Sequence, residues 1–325
     1  MSYFTYHPLL LRLEQLSWRS GLLKCKKKQR GDLSIKETIN HILKEQPEIY
    51  KTLDLPILME EWQWMQQRQI IFPENELLIA RLLKASAKIK HPENLFQKDQ
   101  ESFMLAIPKN FLINKQKSTG ILVTLINWNE RTQLINKFFN WLNLDSPLNE
   151  SENKQLALCL IYQMPIGSKE LYYRAIIPIS SLNELINAKS AEKYSQILGY
   201  FNNITGAKNL NTDEANYQKI IVQLVLAILL YKKTHPEYLI SGYPAKNRPD
   251  LNSVILKKVN SKILSIGKNL KESPTEHYRS WTFRQLFADR YYQNEYKDLP
   301  KGSRIIFVND TWVNMKKIDP KTLIN

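Results

Sequence analysis

The chain has 325 residues, enough for one large or two medium domains and for a sizeable core. With 43% hydrophobic and 24% charged residues it reads as an ordinary globular protein, neither disordered nor fibrous. Its 46 Lys and Arg against 31 Asp and Glu leave a net charge of +15, an excess that favours anionic partners, nucleic acid first.

Two cysteines, Cys25 and Cys159, stand far apart among five histidines, with no CxxC or HxxxH spacing. No structural zinc site is expected from that pattern, and two lone thiols fit a reducing cytoplasm. The start of the chain, Met1 to Pro8, lacks a charged stretch followed by an apolar core, so no secretory signal is read there.

Residues 3–50 read as helices, with Leu9, Leu10, Leu13, Leu16 and Leu23 at helical spacing. A basic run, Lys24 to Arg30, ends at Gly31-Asp32, and Ser34 with Glu37 makes a capping box for a helix Ile35–Lys44. In Glu60 to Arg68, Trp62 and Trp64 are two apart and cannot share the centre of one helical face, so one is expected in the core and the other half-exposed. Leu77 to Lys90 reads as an amphipathic helix ended by His91-Pro92.

The pattern changes after Phe103 from helical to strand-like. Phe103–Pro108 and Ile121–Trp128 are strand-like, and Thr132–Leu142 helical. Leu156–Gln163 and Leu171–Pro178 form a second strand pair across Pro165-Ile166-Gly167-Ser168. Ser181–Ala188 starts a helix with Glu184 in its first turn, and Thr212-Asp213-Glu214 caps a longer one reaching about Lys233. The apolar run Ile220–Tyr231 inside it falls well short of the roughly 18–20 residues of a membrane span, so a buried helix is expected and no membrane contact. Val254–Ile266 fits either helix or strand. The sum is an α+β fold: a helical region 1–100, then a mixed sheet with helices over 101–325, closing on a strand-rich basic segment, 277–313.

No P-loop, GxGxxG or GxSxG motif occurs, and only nine glycines are present, so no nucleotide cofactor is expected. The chemistry concentrates in His277 to Val313. His277, Arg279, Trp281 and Phe283 alternate and would share one face of an extended chain, beside Arg284, Arg290 and Arg304. Guanidinium groups pair with phosphate or carboxylate and flat rings stack bases, the elements of a single-stranded nucleic-acid platform or of a cation-lined peptide groove. Between Ala245 and Asn325 there are 16 Lys and Arg against 8 Asp and Glu, a net of +8, so about half of the excess charge lies in the last quarter. Two other readings stand beside it. In one, His277 is the general base of an RNA-directed nuclease with Arg279 or Arg284 stabilising phosphate charge. In the other, Trp281, Phe283 and Phe287 are core and the charge is incidental.

Four features in order resemble a family of phage and plasmid proteins that includes a type V-A anti-CRISPR protein. They are Glu101–Phe111, the helix Ile220–Tyr231 followed by Gly242-Tyr243-Pro244 and Arg248-Pro249, the His277/Arg279/Trp281 cluster, and Ile305–Val308 with Trp312-Val313. Relatives carry a Gly-His-Trp step where this chain has Arg279-Ser280-Trp281. The resemblance implies a mobile-element accessory protein in the bacterial cytoplasm, a binding protein rather than an enzyme. It would engage RNA or a ribosome–nascent chain complex, with a Cas effector polypeptide as a further partner, and lower synthesis of that effector.

Overall fold

A computed structural model of the chain describes residues 3–9, 39–40, 55–86, 89, 92–96, 101–113, 116–142, 156–166, 169–190, 192–194, 196–197, 212–244, 259–265, 277–279, 282–308 and 311–313. Only the backbone is described for 277–279 and 311–313. The basic run Lys24–Arg30 and most of the expected helix Ile35–Lys44 lie outside these residues.

In chain order the elements are β1 (Tyr3–Phe4), α1 (Leu55–Gln67), β2 (Gln69–Pro73), α2 (Glu76–Ser86), β3 (Glu101–Leu105), β4 (Ile107–Pro108), β5 (Leu112–Ile113), β6 (Gln116–Lys117), β7 (Ile121–Asn127) and α3 (Trp128–Trp141). There follow β8 (Leu156–Ile166), β9 (Lys169–Pro178), α4 (Leu182–Ile186), α5 (Thr212–Thr234), β10 (Leu239–Ser241), β11 (Asn260–Leu264), β12 (His277–Arg279), β13 (Thr282–Leu286), β14 (Arg304–Val308) and β15 (Thr311–Val313). Seven strands make one mixed sheet in the order β10-β11-β2-β3-β7-β8-β9. The β11/β2 and β2/β3 pairs are parallel, and the others antiparallel. The fold is α+β.

Strand alternation sorts the core into two layers. Val123, Leu125, Leu158, Leu160 and Tyr162 face α2, α4 and α5. Leu122, Ile126, Ala157, Cys159 and Ile161 face α1 and α3. Trp64 is fully buried in that second layer and Trp62 is half-buried against Phe138 and Trp141, so the two tryptophans part as their spacing requires. The α3 helix starts where Asn127 Oδ1 accepts the Glu130 amide at 2.8 Å, a side-chain N-cap.

The sheet crosses residue 100. Strand β2 lies between β11 and β3, and both core layers draw side chains from either side of that point. Helices α1 and α2 form in the first hundred residues as the sequence expects, but Gln69–Pro73 adds a strand that its short apolar run did not announce. Tyr3 and Phe4 form a strand and Thr5 to Pro8 is irregular, not helical. Strand β1 pairs with β4, Tyr6 donates to Glu61 Oε1 at 2.5 Å, and the Leu9 amide donates to the same oxygen at 2.7 Å. Gly120 lets this arm pass: a Cβ there would sit 2.1 Å from the Tyr6 nitrogen.

Helix α5 runs about 34 Å at 1.5 Å per residue. It is buried along most of its length, from Ala215 and Tyr217 to Tyr231. Each fully buried Leu, Ile or Val there contributes about 1.5–3 kcal/mol. Asp213 and Glu214 sit in its first turn and Lys232 and Lys233 in its last, matching the helix dipole. The two lysines are anchored: Lys232 pairs with Glu101 and lies 4.4 Å from the Phe103 ring centre, and Lys233 donates to the Leu95 carbonyl at 2.5 Å. No helix among the described residues is long and apolar enough to cross a membrane.

Two polar clusters interrupt the apolar layers. Ser102, Thr124 and Cys159 stand opposite one another across β3, β7 and β8. On the same side of the sheet, Glu60 and Arg131 form a buried ion pair at 2.7 Å. Burial pushes the Cys159 thiol up, and the Glu60 carboxylate pushes it further. Burial is the largest single influence on the Arg131 pKa and works to lower it, but the charges and hydrogen bonds of Glu60 and Cys159 together outweigh it and the net shift is upward. In the other layer Tyr162, Tyr194 and Tyr217 are buried, and among the described residues the hydroxyls of Tyr162 and Tyr194 have no hydrogen-bond partner.

Candidate nucleic-acid interface

Strands β13 and β14 pair antiparallel from Thr282–Val308 to Leu286–Arg304, and β12 and β15 pair from His277–Val313 to Arg279–Thr311. The two ladders keep one register, so both belong to the same two-stranded ribbon direction. An isolated pair of strands is marginal in water. This one is held by docking its inner face. Phe283 and Phe307, opposite each other, meet with ring centres 5.0 Å apart, and Phe307 meets Tyr231 of α5 edge-on at 5.0 Å. His235, just past α5, stacks on Tyr238 at 4.8 Å and takes the edge of Phe307 at 5.5 Å. His235 Nδ1 shares a hydrogen bond with Glu237 Oε1 at 3.0 Å. The backbone hydrogen bond at Glu237 holds that carboxyl below its usual range, and the His235 bond adds to it.

The tip between the strands is ordered by one hydroxyl. Tyr292 is buried; its hydroxyl donates to the Leu286 carbonyl at 2.6 Å and accepts the amides of Gly302 at 2.6 Å and Arg304 at 3.3 Å. Gly302 has φ +85, where side chains are strained, and its bare Cα leaves room for the Phe287 ring. A Cβ there would come within 2.6 Å of Phe287 Cε1.

The sequence-nominated residues divide. Arg284 is exposed on the outer face, paired in register with Ile306, which is 41% exposed. Arg290 is exposed at the tip; its guanidinium donates to the Tyr291 hydroxyl at 3.0 Å and lies 4.9 Å from that ring centre. Arg304 is half-buried, 3.7 Å from the Tyr296 ring centre, and donates to the Tyr291 carbonyl. Tyr291 therefore joins Arg290 and Arg304, and strand geometry puts Arg284 diagonally across from Arg304 on the outer face. His277 and Arg279 lie in β12 by their backbone, and Trp281 falls outside the described residues.

The flat rings fall differently from expectation. Phe283, expected beside the cations, is buried on the inner face. Phe287, expected in the core under the incidental-charge reading, is 47% exposed. Phe287, Tyr292 and Tyr296 were not singled out as working residues by sequence reasoning. From Thr282 to Val308 there are five Lys and Arg against three Asp and Glu, and Lys301 pairs with Asp289. Most of the C-terminal excess charge therefore lies outside the described tip. Among the described residues no three His, Cys, Asp or Glu side chains converge to hold a metal ion. No protein-family model, no curated protein and no solved structure matches this chain.

Proposed function

We propose that the protein is an RNA-binding accessory protein that holds its ligand on the outer face and tip of the C-terminal ribbon. The observation that carries this reading is that Arg284, Arg290 and Phe287 are all exposed on a ribbon whose tip is stapled by Tyr292. Cations placed by a stiff frame meet phosphate without first losing side-chain and loop freedom, which is what preorganisation contributes to affinity. The order of motifs described above adds a setting: a mobile-element protein in the bacterial cytoplasm. It acts on a translating complex so that less of a defence effector is made.

Binding of a labelled single-stranded RNA, followed by gel mobility at several salt concentrations, tests the reading. Leaving aside Lys301, which is paired with Asp289, three exposed cations, Arg284, Arg290 and Lys297, give a slope of log affinity against log salt of about −2 for single strands. Arg284→Ala and Arg290→Ala should each flatten the slope by about 0.7. No shift at 50 mM salt (a probe condition of about that strength) refutes the proposal.

A further inference from the structure

We infer that Phe287 is a base-stacking platform, so that the ribbon tip selects unpaired bases rather than nucleic acid in general; this rests on the RNA-binding reading above. The ring is not a loose apolar side chain left in water. Its Cε1, Cζ and Cδ1 atoms lie 2.6, 3.1 and 3.3 Å from where a Gly302 Cβ would stand, so one side of the ring is seated on bare backbone. The residue is nonetheless 47% exposed, so a large part of it meets solvent. A ring held against backbone at Cε1 and still half-exposed offers apolar surface to a ligand with its position already fixed. Bases of any identity stack on such a surface, since each has a π-face.

The neighbourhood fits the same ligand. Gly302, under Phe287, donates its amide to the Tyr292 hydroxyl, which also accepts from Arg304. Arg304 in turn sits 3.7 Å from the Tyr296 ring centre and is tied to the Tyr291 carbonyl, so a second aromatic ring is held on the same frame. Arg284 and Arg290 are exposed for phosphate. In a duplex the base faces are stacked on each other and closed to Phe287. In a single strand they are free.

Fluorescence anisotropy with three labelled RNAs of one length separates the outcomes: a 12-mer single strand, the same strand annealed to its complement, and an abasic 12-mer (lengths of about one OB-fold-sized site). The single strand should bind at least about 10-fold tighter than the other two. Phe287→Ala should weaken single-strand binding by about 5- to 100-fold, leave abasic binding unchanged, and be rescued by Phe287→Trp. Arg284→Ala should weaken all three alike. Equal binding of abasic and natural strands, or a Phe287→Ala protein that still prefers the single strand, overturns the stacking role while the phosphate contacts stand. Failure of all three RNAs to bind overturns both readings together.

Discussion

Tyr292→Phe isolates the hydroxyl that builds the ribbon tip. The ring stays and so does its burial, but three hydrogen bonds go at once: one to the Leu286 carbonyl and two from the amides of Gly302 and Arg304. Leu286 keeps a partner, because the Gly302 amide also donates to its carbonyl at 3.0 Å. Arg304 is left worst off, since its amide points at the missing oxygen. A buried donor without an acceptor costs about 1–3 kcal/mol, so about 2 kcal/mol is expected here. The tip can open without unfolding the sheet, and a global melt will under-report the loss. Amide hydrogen exchange reads it directly: the Arg304 amide should exchange about 30-fold faster, since each 1.4 kcal/mol is tenfold, and the Gly302 amide less so, because the Leu286 carbonyl still accepts it. Amides of β7 and β8 should not change. If exchange at Arg304 stays within twofold of the wild type, about 0.4 kcal/mol, the hydroxyl does not order the tip and the preorganisation argument fails.

Glu60→Ala strands the Arg131 charge in the α1/α3 layer and should cost about 3–5 kcal/mol in urea unfolding; Glu60→Met with Arg131→Leu should recover most of it, because the pair goes together. Gly120→Ala should lower Tm clearly, because its Cβ meets the Tyr6 nitrogen and Thr5 backbone, which cannot swing aside. Gly302→Ala should be milder in global stability, about 1–2 kcal/mol, and should unseat Phe287, seen as a loss of single-strand preference. Tyr194→Phe removes a buried hydroxyl with no partner among the described residues and should leave Tm equal or raised; a loss above about 1 kcal/mol would mean the hydroxyl is satisfied.

Much of the sheet was readable from runs of apolar, strand-forming residues. Ile121–Asn127, Leu156–Ile166 and Lys169–Pro178 are successive antiparallel neighbours, the last two with Gly167-Ser168 between them in the sequence, and α5 announced itself by its length and its acidic start. Strand β2 was not readable. Ile70, Ile71, Phe72 and Pro73 are all buried because both faces of a central strand are covered, so no polar residue marks the alternate positions. Its parallel partner β11 hid inside a stretch whose Val, Ile and Leu spacing fitted helix and strand alike. The arm Tyr3–Leu9 failed for another reason: its partners, Glu61, Pro108 and the backbone beside Gly120, are more than fifty residues away. No local period records them.

At the ribbon, alternation puts Phe283 and Arg284 on opposite faces but does not say which face is wet. The deciding contact is long-range, the edge of Phe307 against Tyr231 and His235 at the end of α5. Pairing supplies a rule that the single strand lacks. With Phe283 opposite Phe307 and Gln285 opposite Ile305, one face carries two facing phenylalanines; the other carries Arg284 opposite Ile306 and Leu286 opposite Arg304. A two-stranded ribbon needs an apolar face to dock, and only the first face has facing aromatic rings to bury. Once those rings are committed to α5, the ring left for a ligand must come from beyond the strand end. That is where Phe287 stands, with the Gly302 backbone beneath it.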